Sequence, residues 1–283
     1  MKPIIKYRGG KSKEIPQIIQ YIPQFEGRYI EPFFGGGAMF FHIEPNNAII
    51  SDINVRLINF YRSVQQNFIQ LSMELAELEN IYTNNRLEFD KLKKLHPENR
   101  IPDENEFLYY QLRDMYNGLI PSIYSDAALY YFINKTAFSG MIRFNAKGEY
   151  NVPYGRYKNF NTKIITEAHH TLLANTEIHN GDYREIFHLA NPDDFVFLDP
   201  PYDCIFSDYG NIEYLDGFNE ESHRQLAEDF YNLGCRALMV IGDTPLIRDL
   251  YGNNIIAEYD KNYSVNIRNR FQADATHLII TNY

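Results

Sequence analysis

Residues 195–204 read FVFLDPPYDC: four apolar residues, then a carboxylate, two prolines and an aromatic ring. The apolar run is short enough and uniform enough to be a buried strand, and Pro200-Pro201 ends it abruptly. Proline has no N–H, so the Pro200 carbonyl escapes a local turn and can face a cleft. Asp199 supplies a second acceptor beside it. Two acceptors converging on one NH₂ group would bind both its hydrogens and draw its lone pair toward an electrophile. Tyr202 offers a flat face for an aromatic base.

Working outward, strands and helices alternate on both sides of this stretch. TEIHNGD (176–182) reads as a strand before it. After it come NEESHRQLAEDFYNLG (219–234) as a helix, CRALMVIGD (235–243) as a buried strand and THLIITNY (276–283) as a final strand. Asn219 suits the helix N-cap, Glu220 and Glu221 its positive first turn, and Gly234 the C′ position; Leu226, Phe230 and Leu233 share one face. Near the start, GRYIEPF (27–33) and NNAIISDIN (46–54) read as two further strands. Between these blocks, residues 56–98 carry a helical apolar period (Leu57, Phe60, Tyr61, then Leu71, Leu75, Leu78), and 99–130 continue polar and helical. Residues 140–157, GMIRFNAKGEYNVPYGRY, alternate around Lys147-Gly148 as a β-hairpin would. The pattern predicts an open α/β sheet, residues 1–55 and 166–283, interrupted by an inserted helical and hairpin domain, residues 56–165.

EPFFGGGAMFF (31–41) sets three glycines directly after a strand, where a backbone must turn tightly and approach a ligand. Asp52 follows Gly35 by 17 residues, at the end of the next strand, where a carboxylate accepts from ribose hydroxyls. The dinucleotide fingerprint needs a third glycine where Phe40 stands. GGKS (9–12) resembles the tail of a P-loop, but Ile5 occupies the position of its first glycine. Both phosphate-binding readings fail on a required glycine, and a cofactor with a ribose and no phosphates fits better: S-adenosylmethionine.

The 283-residue chain carries a net charge of −10, which argues against nucleic acid, yet its positive charges cluster. Lys2, Lys6, Arg8, Lys11 and Lys13 stand together without an acid. Lys135, Arg143, Lys147, Arg156 and Lys158 surround only Glu149. Lys261, Arg268 and Arg270 form a smaller group. Local potential acts over a Debye length of about 10 Å, so such patches can hold DNA on an acidic body. Cys204 and Cys235 make neither a disulfide framework nor a zinc site, His169-His170 reads as a polar helix surface, and no metal is expected. No apolar run suggests a signal peptide or a membrane span.

Taken together these motifs resemble the Dam-type DNA adenine-N6 methyltransferases, over nearly the whole chain. IKYRGGK (5–11) looks like that family's opening motif, EPFFGGGA its glycine motif, SDIN its second-strand acid, NGDYREIF (180–187) its next strand end, and FSGMIRFNAKGEYNVPYGRY (138–157) its DNA-reading hairpin. The resemblance implies a Rossmann-like sheet with an inserted target-recognition domain. It implies a cofactor site of Tyr7, Lys11, Phe33, Gly35, Gly37, Asp52 and Asp199, with Asp182 and Tyr183 holding the cofactor's adenine, one by a hydrogen bond and one by stacking. Asp199 and the Pro200 carbonyl would orient the target amine and Tyr202 would stack on the flipped base. Arg143 would lead the base reading, with Phe138 and Ser139 filling the gap left by flipping and Met141, Pro153 and Tyr157 at neighbouring contacts. Lys135, Lys147, Arg156 and Lys158 are either phosphate contacts or a solvated face. Position 7 is Tyr where many relatives have Trp, and Phe138-Ser139 replaces a more usual Tyr-Asn pair.

The expected partner is double-stranded DNA, with a cognate restriction endonuclease and a monomeric or weakly dimeric state as further expectations, in the cytoplasm of a bacterial or phage-infected cell. The hairpin resembles those of enzymes that methylate adenine in GATC, and other sites with a G-A step are alternatives. RNA or a protein amide as substrate, or a DNA-binding relative without catalysis, are competing readings; aspartate rather than asparagine at 199 speaks against the amide, the hairpin favours duplex DNA, and Asp199, Asp52 and Lys11 together speak against a loss of catalysis.

Overall fold

The computed structural model describes residues 1–7, 9–202, 218–262 and 274–283. Arg8, Cys204, Arg268 and Arg270 lie outside the described residues. The chain divides into two compact units: Lys11–Asn54 with Asn175–Tyr283, and Met1–Gly10 with Val55–Ala174.

The first of these is built on a seven-stranded sheet: β1 (Tyr29–Glu31), β2 (Ala48–Asp52), β3 (Thr176–Asn180), β4 (Phe195–Leu198), β5 (Arg236–Gly242), β6 (Ile255–Asn262) and β7 (Asp274–Thr281), in the order β3-β2-β1-β4-β5-β7-β6. β1 pairs in parallel with β2 and β4, β2 with β3, and β4 with β5; β7 runs antiparallel between β5 and β6. Every residue of β1, β2 and β4 is buried, as expected of parallel strands covered on both faces. That is why apolar residues run through them without alternation, interrupted only by Glu31, Ser51 and Asp52 at their C-terminal ends. β6 is not singled out by the sequence. It is an edge strand, half polar, with Ile256 exposed.

The helix after β4 spans Glu220–Tyr231. Asn219 caps it, its side chain accepting from the Ser222 N–H, a contact worth about 1 kcal/mol. Leu226 and Phe230 are fully buried against the sheet, and Leu233 packs at the margin of the same cluster; truncating either buried residue to alanine costs about 2–5 kcal/mol. The expected role of Gly234 is corrected: Asn232, in a right-handed conformation, ends the helix two residues earlier.

In the other unit, helices Val55–Gln66, Phe68–Leu95, Glu104–Tyr116 and Asp126–Thr136 replace the continuous helical texture. Ser125 caps the last of them, and all its residues except Asp126 and Lys135 are buried. The core is aromatic: Tyr82, Tyr131, Phe132 and Phe160 meet in tilted and edge-to-face pairs. A buried tyrosine needs a partner for its hydroxyl, and here the partner is the chain 141–157. Tyr109 donates to Val152 O (2.8 Å), Tyr150 to Met141 O (2.6 Å) and Tyr82 to Tyr157 O (2.5 Å).

That segment is less regular than the expected hairpin. A tight turn closes it, with Gly148 N donating to Asn145 O, Asn145 N to Glu149 O and Asn151 N to Arg143 O. Only isolated antiparallel bridges form, Phe144 with Tyr150 and Ala137 with Tyr154. Bonds to side chains of the helices take the place of a ladder.

The division of the chain differs from the expected boundaries at the N-terminus and near residue 174. Lys6 N donates to Asn134 Oδ1 (2.9 Å) and Asn134 Nδ2 to Lys6 O (2.7 Å), which fastens the first residues to helix Asp126–Thr136. His169 is buried, 3.0 Å from Lys2 O through Nε2, and His170 stacks on Phe68 with Nδ1 3.1 Å from Val64 O. The reading of this pair as a polar surface is thereby corrected: both imidazoles are internal fasteners.

Candidate active site

The strand order reverses between β1 and β4, and in an open parallel sheet the crevice beyond the C-terminal ends of such a pair is where ligands bind. β1 runs out into the glycine turn and β4 into Asp199-Pro200-Pro201-Tyr202, so both motifs arrive at this one point.

The glycine turn is held by Asp52. Its Oδ2 accepts from Gly35 N (2.8 Å) and its Oδ1 from Asn54 N (2.9 Å), so the acid at the end of β2 fixes the loop leaving β1. A carboxylate at the end of this strand is where ribose hydroxyls donate in such sheets. Gly35 and Gly37 take positive φ (48° and 62°), and a Cβ on Gly37 would stand 2.5 Å from the Phe34 ring. Only glycine fits there. Asn180, which the sequence does not mark, donates to the carbonyls of Asp52 and Ile53 and pins the end of β2.

At the end of β4, both oxygens of Asp199 accept from Lys11 Nζ, at 2.6 and 2.7 Å. The Lys11 side chain is 3% exposed and that of Asp199 21%, so the pair is sunk with the carboxylate toward solvent. Burial pushes the Asp199 carboxyl up from the ordinary aspartate range, and the ammonium of Lys11 opposes it. Behind it, burial drives the Glu31 carboxyl well above its usual range, where it accepts from Tyr29 OH (2.8 Å). Tyr202 is half-buried, its ring centroid 5.0 Å from Lys11 Nζ, and a Cβ on Gly242 of β5 would lie 3.3 Å from that ring.

Asp182 caps helix Tyr183–Phe187 and pairs with Arg184 (2.8 Å); burial would raise its carboxyl, but these bonds hold it below its ordinary value. Tyr183, expected beside the cofactor's adenine, is a core residue: it is 5% exposed, its ring lies 5.3 Å from that of Phe33, and its hydroxyl donates to Asp229 (2.7 Å). The ring with an open side here is Phe33, which also meets Phe218 edge-on at 6.0 Å. A turn that admits only glycine, a carboxylate at the end of β2 and a half-open aromatic ring fit a nucleoside-bearing cofactor without phosphates.

Tyr7 belongs to the helical unit and is half-buried. In that unit Phe138 is 54% exposed although large and apolar, and Ser139 beside it holds a left-handed φ of 55°. Pro153 is exposed and its carbonyl accepts from Phe138 N (2.9 Å); Met141 and Tyr157 are half-buried, with Lys6 Nζ 4.1 Å over the Tyr157 ring. Arg143 is exposed and its guanidinium is held by Asn151, through Nε to Oδ1 (2.7 Å) and Nη2 to the carbonyl (3.1 Å). The sequence does not mark Asn151; its place opposite Arg143 across the 145–149 turn is the signal that could have found it. Lys135 is no solvated lysine. It donates to Ile4 O (2.5 Å), and burial first, with Lys6 second, lowers its ammonium to about 8. Lys147, Arg156 and Lys158 are exposed.

Comparison with known proteins points to one family. The sequence model of a family described as D12 class N6 adenine-specific DNA methyltransferase matches residues 7–265. Over the whole of both chains the sequence is 36% identical to Type II methyltransferase M.CviBI of Paramecium bursaria Chlorella virus NC1A. It is 34% identical to Type II methyltransferase M.MjaIII of Methanocaldococcus jannaschii over 89% of this chain and 87% of that one. It is 28% identical to the retron Ec67 DNA adenine methylase of Escherichia coli, over 89% and 81%.

Proposed function

We propose a specific reaction from an established premise: the chain belongs to the D12 class N6 adenine-specific DNA methyltransferase family. It is a DNA adenine-N6 methyltransferase, its sheet is the Rossmann-like sheet of such enzymes, DNA is its substrate, and the family implies an S-adenosylmethionine-dependent reaction. No helix among the described residues is long and apolar enough to cross a membrane.

The proposal concerns residues. When bound, S-adenosylmethionine supplies an electrophilic methyl group. Asp52, the turn Gly35–Gly37, Phe33, Lys11 and Asp182 would hold it, with Tyr183 supporting from the core. The target adenine cannot present N6 from within the stack and is flipped out, at a cost of a few kcal/mol. Asp199 and the Pro200 carbonyl accept the two N6 hydrogens and so aim the nitrogen lone pair. Tyr202 stacks on the base. Lys11 keeps the Asp199 carboxylate in one orientation, so that positioning and fixed charge supply most of the rate. The reaction needs no metal or covalent enzyme intermediate. On the DNA side Arg143, pre-set by Asn151, reads guanine, Phe138 and Ser139 fill the vacated stack, and Met141, Pro153 and Tyr157 contact neighbouring bases.

The observation that carries this reading is the buried Lys11–Asp199 pair at the end of β4, beside the Asp52-held glycine turn that leaves β1. GATC is the proposed site, a cognate restriction endonuclease the proposed counterpart, monomer or weak dimer the proposed state, and the cytoplasm of a bacterial or phage-infected cell the proposed location. The test is transfer of labelled methyl from S-adenosylmethionine to unmethylated duplex DNA, with Asp199→Ala as control, then modification-sensitive sequencing. Label at adenine N6 in one short motif, lost in Asp199→Ala, is the expected result. Appreciable methylation by a folded Asp199→Ala protein would sink the residue assignment.

A further inference from the structure

Three residues beyond Lys11, Glu14 is a carboxylate that the chain buries: it is 4% exposed. It gathers three side chains from the far edge of the sheet. Tyr259 OH, on β6, donates to its Oε2 at 2.6 Å; His277 Nδ1, on β7, lies 2.7 Å from the same oxygen; Lys261 Nζ, on β6, lies 2.5 Å from Oε1. Tyr259 and His277 are register partners across the β6–β7 pair, so one anion fastens two strands at once. Burial alone would raise the Glu14 carboxyl, but His277, Lys11, Lys261 and Tyr259 outweigh it and hold it at about 2. Glu14 is a permanent charge, not a proton carrier. Because a carboxylate only accepts, the His277 Nδ1 that faces it bears a hydrogen, and the bond fixes the ring plane.

His277 is itself fully buried, and its ring meets those of Tyr259, at 5.5 Å between centroids, and of Tyr202, edge-to-face at 87° with centroids 5.1 Å apart. Tyr202 is thus bounded by His277, by the bare backbone of Gly242 and by the ammonium of Lys11.

We propose that Glu14 and His277 are positioning residues for methyl transfer: Glu14 fixes the His277 ring, and His277 fixes the plane of Tyr202 against which the target base stacks. This rests on the reading of Tyr202 and Asp199 given above. A cluster that only fastened β6 and β7 to the Lys11 segment would change stability and leave the chemistry of the folded enzyme alone.

The test uses the full chain with two variants. Glu14→Leu/His277→Phe replaces the hydrogen-bonded pair by apolar groups of similar size but takes their acceptor from Lys261 and Tyr259, so folding is checked by thermal unfolding before any rate is read. Glu14→Gln keeps an acceptor and removes the charge. Single-turnover transfer at saturating cofactor and duplex, cofactor affinity by calorimetry, and the emission of 2-aminopurine at the target position are measured on each. The double variant is expected to lose about tenfold in rate with cofactor affinity within about twofold, because a base misplaced by a fraction of an ångström loses alignment. Its 2-aminopurine emission should rise, as the flipped base stacks less well, and Glu14→Gln should fall between it and the parent. A folded double variant with parental rate and emission overturns the proposal, as does a rate loss matched by lost cofactor binding or lost folded protein. If the double variant does not fold, Glu14→Gln decides: a several-fold slower rate at unchanged cofactor affinity supports the proposal, and a parental rate overturns it. Asp199→Ala separates the two levels. Activity there refutes the site itself; inactivity there with parental cluster variants refutes only the present inference.

Discussion

Strand β4 is bounded by two aspartates, Asp194 before it and Asp199 after it, and each is paired with a cation. At the N-terminal end Asp194 accepts from Arg28 N (2.6 Å), from Arg28 Nη2 (2.8 Å) and from Asn191 N (2.8 Å). Burial would raise its carboxyl, but those donors outweigh it and the net direction is down. At the C-terminal end Asp199 meets Lys11, and there burial wins and the direction is up. The same residue type on one strand is saturated at one end and under-supplied at the other. An acceptor with its donors in place stabilises the fold; one held in place with capacity to spare is available to a substrate.

The largest expected effect separates the two ends by activity. Asp199→Ala should lower kcat by about a thousandfold or more, the loss expected when a transition-state contact is removed. Asp194→Ala should leave the kcat of folded protein unchanged. In stability the order reverses. Asp194→Ala takes the carboxylate from the Arg28 side chain and from the Arg28 and Asn191 N–H groups, leaving the guanidinium Leu189 O and Glu177, and should cost about 3 kcal/mol, read by denaturant unfolding. An Asp194→Ala enzyme with parental stability would break the comparison.

The two ends should also differ in sign with pH. The depressed Asp194 contributes stability that is complete above the ordinary aspartate range and is lost as pH falls through its folded value. Asp194→Asn should therefore flatten the acid limb of a stability profile. The raised Asp199 works the other way, costing stability as pH rises from its unfolded value through its folded one, so Asp199→Asn should steepen the same limb.

A pair of glycines gives the smallest and sharpest contrast. A Cβ on Gly27 would meet Asp194 Oδ1 at 2.4 Å, and one on Gly242 would meet the Tyr202 ring at 3.3 Å. Gly27→Ala should cost about 1–3 kcal/mol of stability with kcat unchanged. Gly242→Ala should cost under about 1 kcal/mol yet slow transfer several-fold by tilting Tyr202. Thermal unfolding and single-turnover rates on the two proteins check both halves.

Most of the sheet is legible in the sequence, because parallel strands buried on both faces are mostly apolar without alternation; β1, β2, β4 and β5 announce themselves. β6 does not, because an edge strand is half solvated and its pattern IIAEYDKN is mixed. The turn Gly35–Gly37 and the acid Asp52 are legible as residue types at a spacing, but not that Asp52 holds the turn by its Gly35 N–H. Tyr183 illustrates the limit. A motif can mark the position, yet whether a ring faces a ligand or the core depends on what packs beside it, here Phe33 and Phe187.

By itself the sequence determined the strand and helix alternation, the two motif ends and the choice against phosphate-binding cofactors, since those follow from local period, backbone freedom and the presence or absence of a glycine. Only the tertiary structure decided which carboxylates are saturated. Asp194 and Asp199 lie five positions apart and are chemically identical, but their donors come from residues 28 and 191 in one case and 11 in the other. Glu14 and His277, 263 residues apart, meet only because β7 folds back between β5 and β6. Charge balance at a buried group is a sum over neighbours in space, and no window of sequence contains it.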